Sequence, residues 1–151
     1  LIEREHGTTS LWDVKHVHGG LLDLEFIFQY LQLRHAAALP EVLCRTTSEG
    51  ISRLGQLGIL EPRMAERLHV ATVLMHNAQG LLRLTVAEQF DESSAPEGLR
   101  AALARAGGGN DLVALRRELR TTQKWVRECF DEIITGPAVA AGAEFDDRHR
   151  A

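Results

Sequence analysis

From Leu112 to Ile133 the residues Leu112, Leu115, Leu119, Thr122, Val126, Cys129 and Ile133 follow one another at alternating steps of three and four, without a break. A strand repeats every two residues and a helix every 3.6, so this run fits one stripe along a helix and no face of a sheet. Elsewhere no segment longer than a few residues is β-branched and strictly alternating, apart from a short stretch that alternates at Leu21–Phe26. With no raw material for a sheet, the chain is expected to be all-α, a bundle of about five helices of which three are long.

The remaining boundaries follow from local chemistry. Leu21 to about Ala37 is apolar on most sides, which suits a central helix with several neighbours, and Pro40 ends it. Thr46 and Glu49 have the spacing of a reciprocal capping box, opening a short helix that runs toward Gly58. A long helix is expected to start at Pro62 behind Glu61, with Met64, Leu68, Ala71, Met75, Ala78 and Leu82 on one stripe. Gly80 within it is read as a point of close helix approach. Ser94 and Glu97 repeat the capping-box spacing before a short helix that Gly107-Gly108-Gly109 stops, and Asn110 or Asp111 caps the last long helix. Residues 1–14 read as a connector, 15–135 as the bundle and 136–151 as a mobile tail.

The totals narrow the function. With 151 residues, 44% apolar and 25% charged, the chain has the profile of one globular domain. A formal charge of −4 argues against nucleic-acid binding, which needs an excess of Lys and Arg. Charges interrupt every apolar run well short of the roughly 18 residues that cross a bilayer, so no membrane role is expected. Cys44 and Cys129 lie far apart and are read as two buried thiols in a reducing, cytoplasmic setting. The start at Leu1, charged and without Met, is read as lying inside a longer protein.

Chemistry-bearing residues concentrate between Trp12 and Phe26. Gly19-Gly20 ahead of a helix lets the backbone approach a ligand, the first-turn amides favour an anion, and Lys15 adds a point charge. The same glycines also serve as a tight turn, and a lone Lys is ordinarily solvated. Asp23 and Glu25 diverge by about 200° on a helix, so joint metal binding requires another backbone; one is expected to cap or complement the first turn and the other to reach a cation or a neighbouring arginine. His16 and His18 have the same spacing, and the seven histidines make no His-x-x-x-His pair, which leaves no metal site to name. No Gly-x-Ser-x-Gly elbow is present, and the glycine run at 107–109 lacks the lysine of a phosphate loop. Trp12, Trp125, Met64 and Met75 are read as packing residues, and no catalytic residue is assigned.

The string Asp13-Val14-Lys15-His16-Val17-His18-Gly19-Gly20-Leu21-Leu22-Asp23-Leu24-Glu25-Phe26-Ile27-Phe28-Gln29 is similar to the Lys-x-x-x-Gly-Gly signature, continuing through Glu-Phe to Gln, of the bifunctional glutamine synthetase adenylyltransferase/adenylyl-removing enzymes. The likeness continues through Leu33-Arg34-His35, the stretch from Thr46 to Leu60, Leu81-Leu82-Arg83-Leu84 and the helix carrying Thr122-Gln123, Val126-Arg127 and Phe130. Such enzymes have two halves, each a nucleotidyltransferase domain followed by a helical domain; one half attaches AMP from ATP to a tyrosine of glutamine synthetase and the other removes it. Lys15-His16, Asp23 and the ragged end resemble the attaching half. The family's chemistry uses a Gly-Ser-x-x-Asp turn and two carboxylates on magnesium, and the chain has no Gly-Ser dipeptide. The resemblance therefore implies a non-catalytic helical wall packed on an upstream nucleotidyltransferase domain that holds Mg2+ and ATP. It also implies glutamine synthetase and the PII signalling protein as partners, and Lys15, Gly19, Gly20, Asp23 and Glu25 at the nucleotide-facing or domain junction. A free-standing helical interaction module and the helical domain of a PII uridylyltransferase are the alternatives.

Overall fold

The computed structural model describes residues 10–83, 90–109 and 111–137. Among them lie five α-helices and no strand: α1 (Leu21–His35), α2 (Thr47–Gln56), α3 (Pro62–Leu82), α4 (Glu97–Ala106) and α5 (Leu112–Phe130), with a 3-10 turn at Pro40–Val42 and a π-turn at Asp131–Thr135. The all-α expectation holds, with the three long helices where the periodicity places them. The first nine residues and the tail from residue 138 lie outside the described residues, as does Asn110.

Capping chemistry sets most of the boundaries. Thr46 accepts a hydrogen bond from the Glu49 N–H at 3.3 Å and opens α2, an arrangement worth about 1 kcal/mol. Glu61 accepts from the N–H groups of Arg63 and Met64 and opens α3 behind Pro62. Asp111 accepts from the Ala114 N–H at 2.8 Å and opens α5. The second capping box does not form, because Ser94 belongs to the preceding turn. There the Asp91 carboxylate accepts from Ser93 N–H at 3.0 Å and Ser93 Oγ at 2.7 Å, and hydrogen bonds from Ser93 and then Ser94 hold it below the usual carboxylate range. Helix α4 starts instead at Glu97, with Pro96 before it and no side-chain cap. The stretch at Leu21–Phe26, whose alternation allowed an extended start, is helical from Leu21 onward.

Helix α1 packs on α2, α3 and α5 and forms the middle of the bundle. It contributes Leu24, Ile27, Phe28 and Leu31 to a continuous core with Ile51 and Leu54 of α2, Leu68 and Met75 of α3, Leu103 of α4, and Leu115, Leu119 and Val126 of α5. Fully burying side chains of this size yields about 1.5–3 kcal/mol each, offset by the entropy of ordering them. Past Phe130 the π-turn keeps Ile133 and Ile134 packed against the core.

One glycine assignment changes. A Cβ on Gly80 meets nothing within 4 Å, so no helix comes close there. The close approach is at Gly50 in α2, where a Cβ falls 2.0 Å from the Phe28 ring of α1. Of the cysteines, Cys129 is buried as expected, but Cys44 is only half-buried.

Gly50→Ala is expected to destabilise the fold by about 1–3 kcal/mol by overpacking against Phe28, whereas Gly80→Ala is expected to stabilise it by about 0.5–1 kcal/mol through helix propensity alone. Chemical denaturation of the two variants checks both signs, and a loss of stability in both rules out this packing account. Burial, with Glu132 nearby, pushes the Cys129 thiol up to about 11. At pH 8 its thiolate fraction is then about 0.1%, and iodoacetamide labelling read by mass spectrometry is expected to modify Cys44 at least about tenfold faster.

Candidate functional site

The segment leading into α1 is a packed loop. Val14 and Val17 are buried, and the backbone folds back so that Leu21 N–H donates to the Val14 carbonyl at 2.8 Å and Leu22 N–H to the Lys15 carbonyl at 3.1 Å. These bonds satisfy first-turn amides of α1 from within the chain, so the helix start presents fewer free donors than an anion site requires.

The two glycines have separate steric causes. Gly19 has φ +81°, the left-handed region that favours glycine, and a Cβ there lands 1.7 Å from the carbonyl oxygen of Gln123 in α5. Gly20 has no room because a Cβ meets the Val14 carbonyl oxygen at 2.3 Å. Both are thus fully accounted for by the packing of the loop on itself and on α5. Gln123, buried in α5, donates through Nε2 to the Leu11 carbonyl at 2.9 Å and holds the loop from the other side.

Asp23 is buried at the centre of this arrangement. Its Oδ2 accepts from the Gly19 N–H at 2.6 Å and from Arg127 Nη1 at 3.2 Å. One carboxylate therefore performs both roles that the sequence divides between Asp23 and Glu25: it complements the first turn of α1 and reaches an arginine. Charge-assisted bonds of this kind are worth roughly twice neutral ones. Arg127 stacks over the Phe130 ring at 4.5 Å and approaches Asp131 at 3.5 Å, which orients its guanidinium toward Asp23.

Lys15 is exposed and Glu25 half-buried, and neither contributes to the Asp23 cluster. Asp23 and Glu25 leave α1 in directions about 200° apart, and the Asp23 carboxylate is already engaged by an N–H and a guanidinium, so the pair does not fit a magnesium ion. Among the described residues no group of three or more His, Cys, Asp or Glu is placed to hold a metal. His16 faces only the Asp13 carboxylate, at 3.1 Å. Trp12 extends the same corner, with its ring edge-on to Phe90 at 4.9 Å and Nε1 donating to Glu92 Oε1 at 2.7 Å. Glu92 in turn binds Arg116 of α5, whose Nε donates to Oε1 at 3.0 Å.

One surface was missed by the sequence reading. The outer side of α1 carries Leu22, Phe26, Gln29 and Leu33 at helical spacing, with Phe26 52% and Leu33 81% exposed. The apolar character of α1 on most sides was assigned to neighbours within the chain, yet the bundle covers only the side bearing Leu24, Ile27, Phe28 and Leu31. A helix apolar all round is normally buried all round, and that mismatch is the signal that would have found the uncovered side. Lys15, whose carbonyl is bonded to Leu22 N–H, stands at the head of this strip.

Against known proteins, the family model described as GlnD PII-uridylyltransferase matches residues 3–134. Similar curated proteins carry the name bifunctional glutamine synthetase adenylyltransferase/adenylyl-removing enzyme. One from Rhodopseudomonas palustris is 41% identical over 135 residues, 89% of this chain and 14% of its own length. One from a Bradyrhizobium species is 41% identical over 133 residues, 88% and 14% of the two lengths. One from Xanthobacter autotrophicus is 40% identical over 133 residues, 88% and 13% of the two lengths. The chain thus spans about one seventh of the curated relatives it matches, and no solved structure matches it. On a match that covers almost all of the described bundle, the chain belongs to the family described as GlnD PII-uridylyltransferase, and its curated relatives are bifunctional glutamine synthetase adenylyltransferase/adenylyl-removing enzymes.

Proposed function

We propose that this chain is a helical domain of a glutamine synthetase adenylyltransferase, the enzyme that transfers AMP from ATP to a tyrosine of glutamine synthetase, and removes it, to regulate nitrogen assimilation in the cytoplasm. In this role it is a non-catalytic wall. A nucleotidyltransferase domain elsewhere in the protein holds Mg2+ and ATP, and the PII signalling protein and glutamine synthetase are its partners. The names of relatives about 40% identical over nine tenths of the chain support the enzyme class. The observation that carries the role is the uncovered apolar strip of α1, with Phe26 and Leu33 exposed on the helix whose other side lies in the middle of the core. Such a strip is what one domain presents to another. The nucleotidyltransferase domain lies on it, and Lys15 at its head faces the nucleotide phosphates across the junction. Gly19, Gly20 and Asp23 hold the loop in the shape that places Lys15 there. Glu25, half-buried beside the strip, is a junction residue.

A second reading rests on the description of the matching family model, that of a PII-uridylyltransferase. There the same bundle serves an enzyme that attaches UMP to PII. Offering the full-length protein radiolabelled ATP or UTP with purified glutamine synthetase or PII separates the two, since label appears on one protein from one nucleotide.

Three outcomes test the wall role. Calorimetric titration of this chain with MgATP is expected to show no binding in the micromolar range, and micromolar affinity sinks the idea that phosphate and metal ligands are elsewhere. In the full-length enzyme Lys15→Ala is expected to lower the rate of adenylylation about tenfold with an unchanged melting temperature. Phe26→Ser with Leu33→Ser is expected to lower the same rate while leaving the stability of this chain within about 0.5 kcal/mol of wild type. Normal turnover with a lowered melting temperature in either variant makes these residues purely structural.

A further inference from the structure

The exposed face of α5 is cationic over its first two thirds. Arg116, Arg120 and Lys124 stand at successive steps of four with Arg117 beside them, so four of the chain's 17 Lys and Arg residues fall on one face within nine positions. Glu118 leaves the helix on another side, and Glu128 and Asp131 come only past the end of the stripe. Among the described residues no carboxylate pairs with Arg117, Arg120 or Lys124, while Glu92 fixes Arg116 and Arg127 takes up Asp131. Like charges three and four residues apart cost a helix stability. Only the Glu92 pair with Arg116 offsets that cost among the described residues, and none of these four side chains is part of the apolar core.

The stripe is shaped as well as charged. Val113, Arg116, Arg117, Arg120 and Thr121 line an open hollow of about 260 Å3. Val113, 57% exposed at its rim, adds an apolar contact. From Val113 to Lys124 the stripe is about 17 Å long, too long for one phosphate group and suited to several carboxylates in a row, which guanidinium groups accept in bidentate pairs. A nucleic acid is disfavoured by the remainder of the chain, since a total of −4 leaves the surface away from the stripe more acidic still.

We propose that this face of α5 is a docking surface for an acidic protein segment, with Arg117 and Arg120 as the main anchors and Arg116, pinned by Glu92, as a preset edge. The stripe is read from this chain alone, and only the last part of the test rests on the proposed function. The probe is a fluorescent decaglutamate peptide, titrated by anisotropy at low salt, with a dT20 oligonucleotide as the alternative ligand. The chain is expected to bind decaglutamate in preference to dT20 and to lose about tenfold or more in affinity between 20 and 300 mM NaCl. Arg117→Glu with Arg120→Glu is expected to weaken the binding at least about tenfold, Arg117→Gln with Arg120→Gln by less, and Arg63→Glu, an exposed cation off the stripe, not measurably. No binding of decaglutamate, preference for dT20, or equal affinity in the Glu variant overturns the proposal. In the last arm, purified glutamine synthetase captured by the full-length protein and displaced by decaglutamate identifies the acidic partner. Peptide binding without capture of glutamine synthetase keeps the acidic docking surface and counts against the enzyme reading instead.

Discussion

The bond from Asp23 to both the Gly19 N–H and Arg127 joins the entry loop, the central helix and the last helix at one buried oxygen. Removing that carboxylate leaves the half-buried guanidinium with only the exposed Asp131 and a turn amide without its acceptor, which costs more than the bond itself contributes. The surrounding contacts depend on it. Gly19 can sit against the Gln123 backbone only while its amide is held, Gln123 reaches the Leu11 carbonyl only while the loop stays in place, and Trp12 follows to meet Phe90 and Glu92. A segment with no helix or strand of its own is thereby tied to both helices.

The same contacts occupy residues of a chemically suggestive kind. An acid with an arginine, two glycines before a helix and a nearby lysine are the parts of an anion or metal site. Here the acid is neutralised by an N–H and a guanidinium, and the glycines are used up by two carbonyl contacts. The lysine and the outer side of α1 stay exposed. On the proposed reading such a wall contributes to a reaction by position, holding a cation and an apolar surface at set places.

How much of this was legible in the sequence differs by the type of force. Helix boundaries set by one or two residues were readable, because Thr46, Glu61 and Asp111 each act on amides a few positions away. Ser94 misled for the same local reason, since the spacing to Glu97 is equally satisfied by a turn in which Asp91 competes for the serines. The five-helix architecture was readable from periodicity. Contacts between distant residues were not: the partner of Asp23 lies 104 positions away, and Gly80 and Gly50 look alike until the helices are in place. At the site the spacing of Asp23 and Glu25 correctly separated their directions, but nothing local shows that one carboxylate takes both roles. The uncovered side of α1 was present in the composition of that helix, and was missed because an apolar helix was assumed to be enclosed by its own chain.

The two surfaces left open by the fold lie on the two helices that the Asp23–Arg127 pair ties together, α1 with its apolar strip and α5 with its arginines. Coupling between sites requires an element with two arrangements that both sites can bias. The joint between these helices is a poor candidate for such an element. Its turn is wedged at Gly19 against a backbone carbonyl and its helices are interlocked by fully buried Leu24, Leu115 and Val126. On the proposed readings the bundle is a fixed bracket: whatever docks on one face is held in a constant orientation to whatever docks on the other.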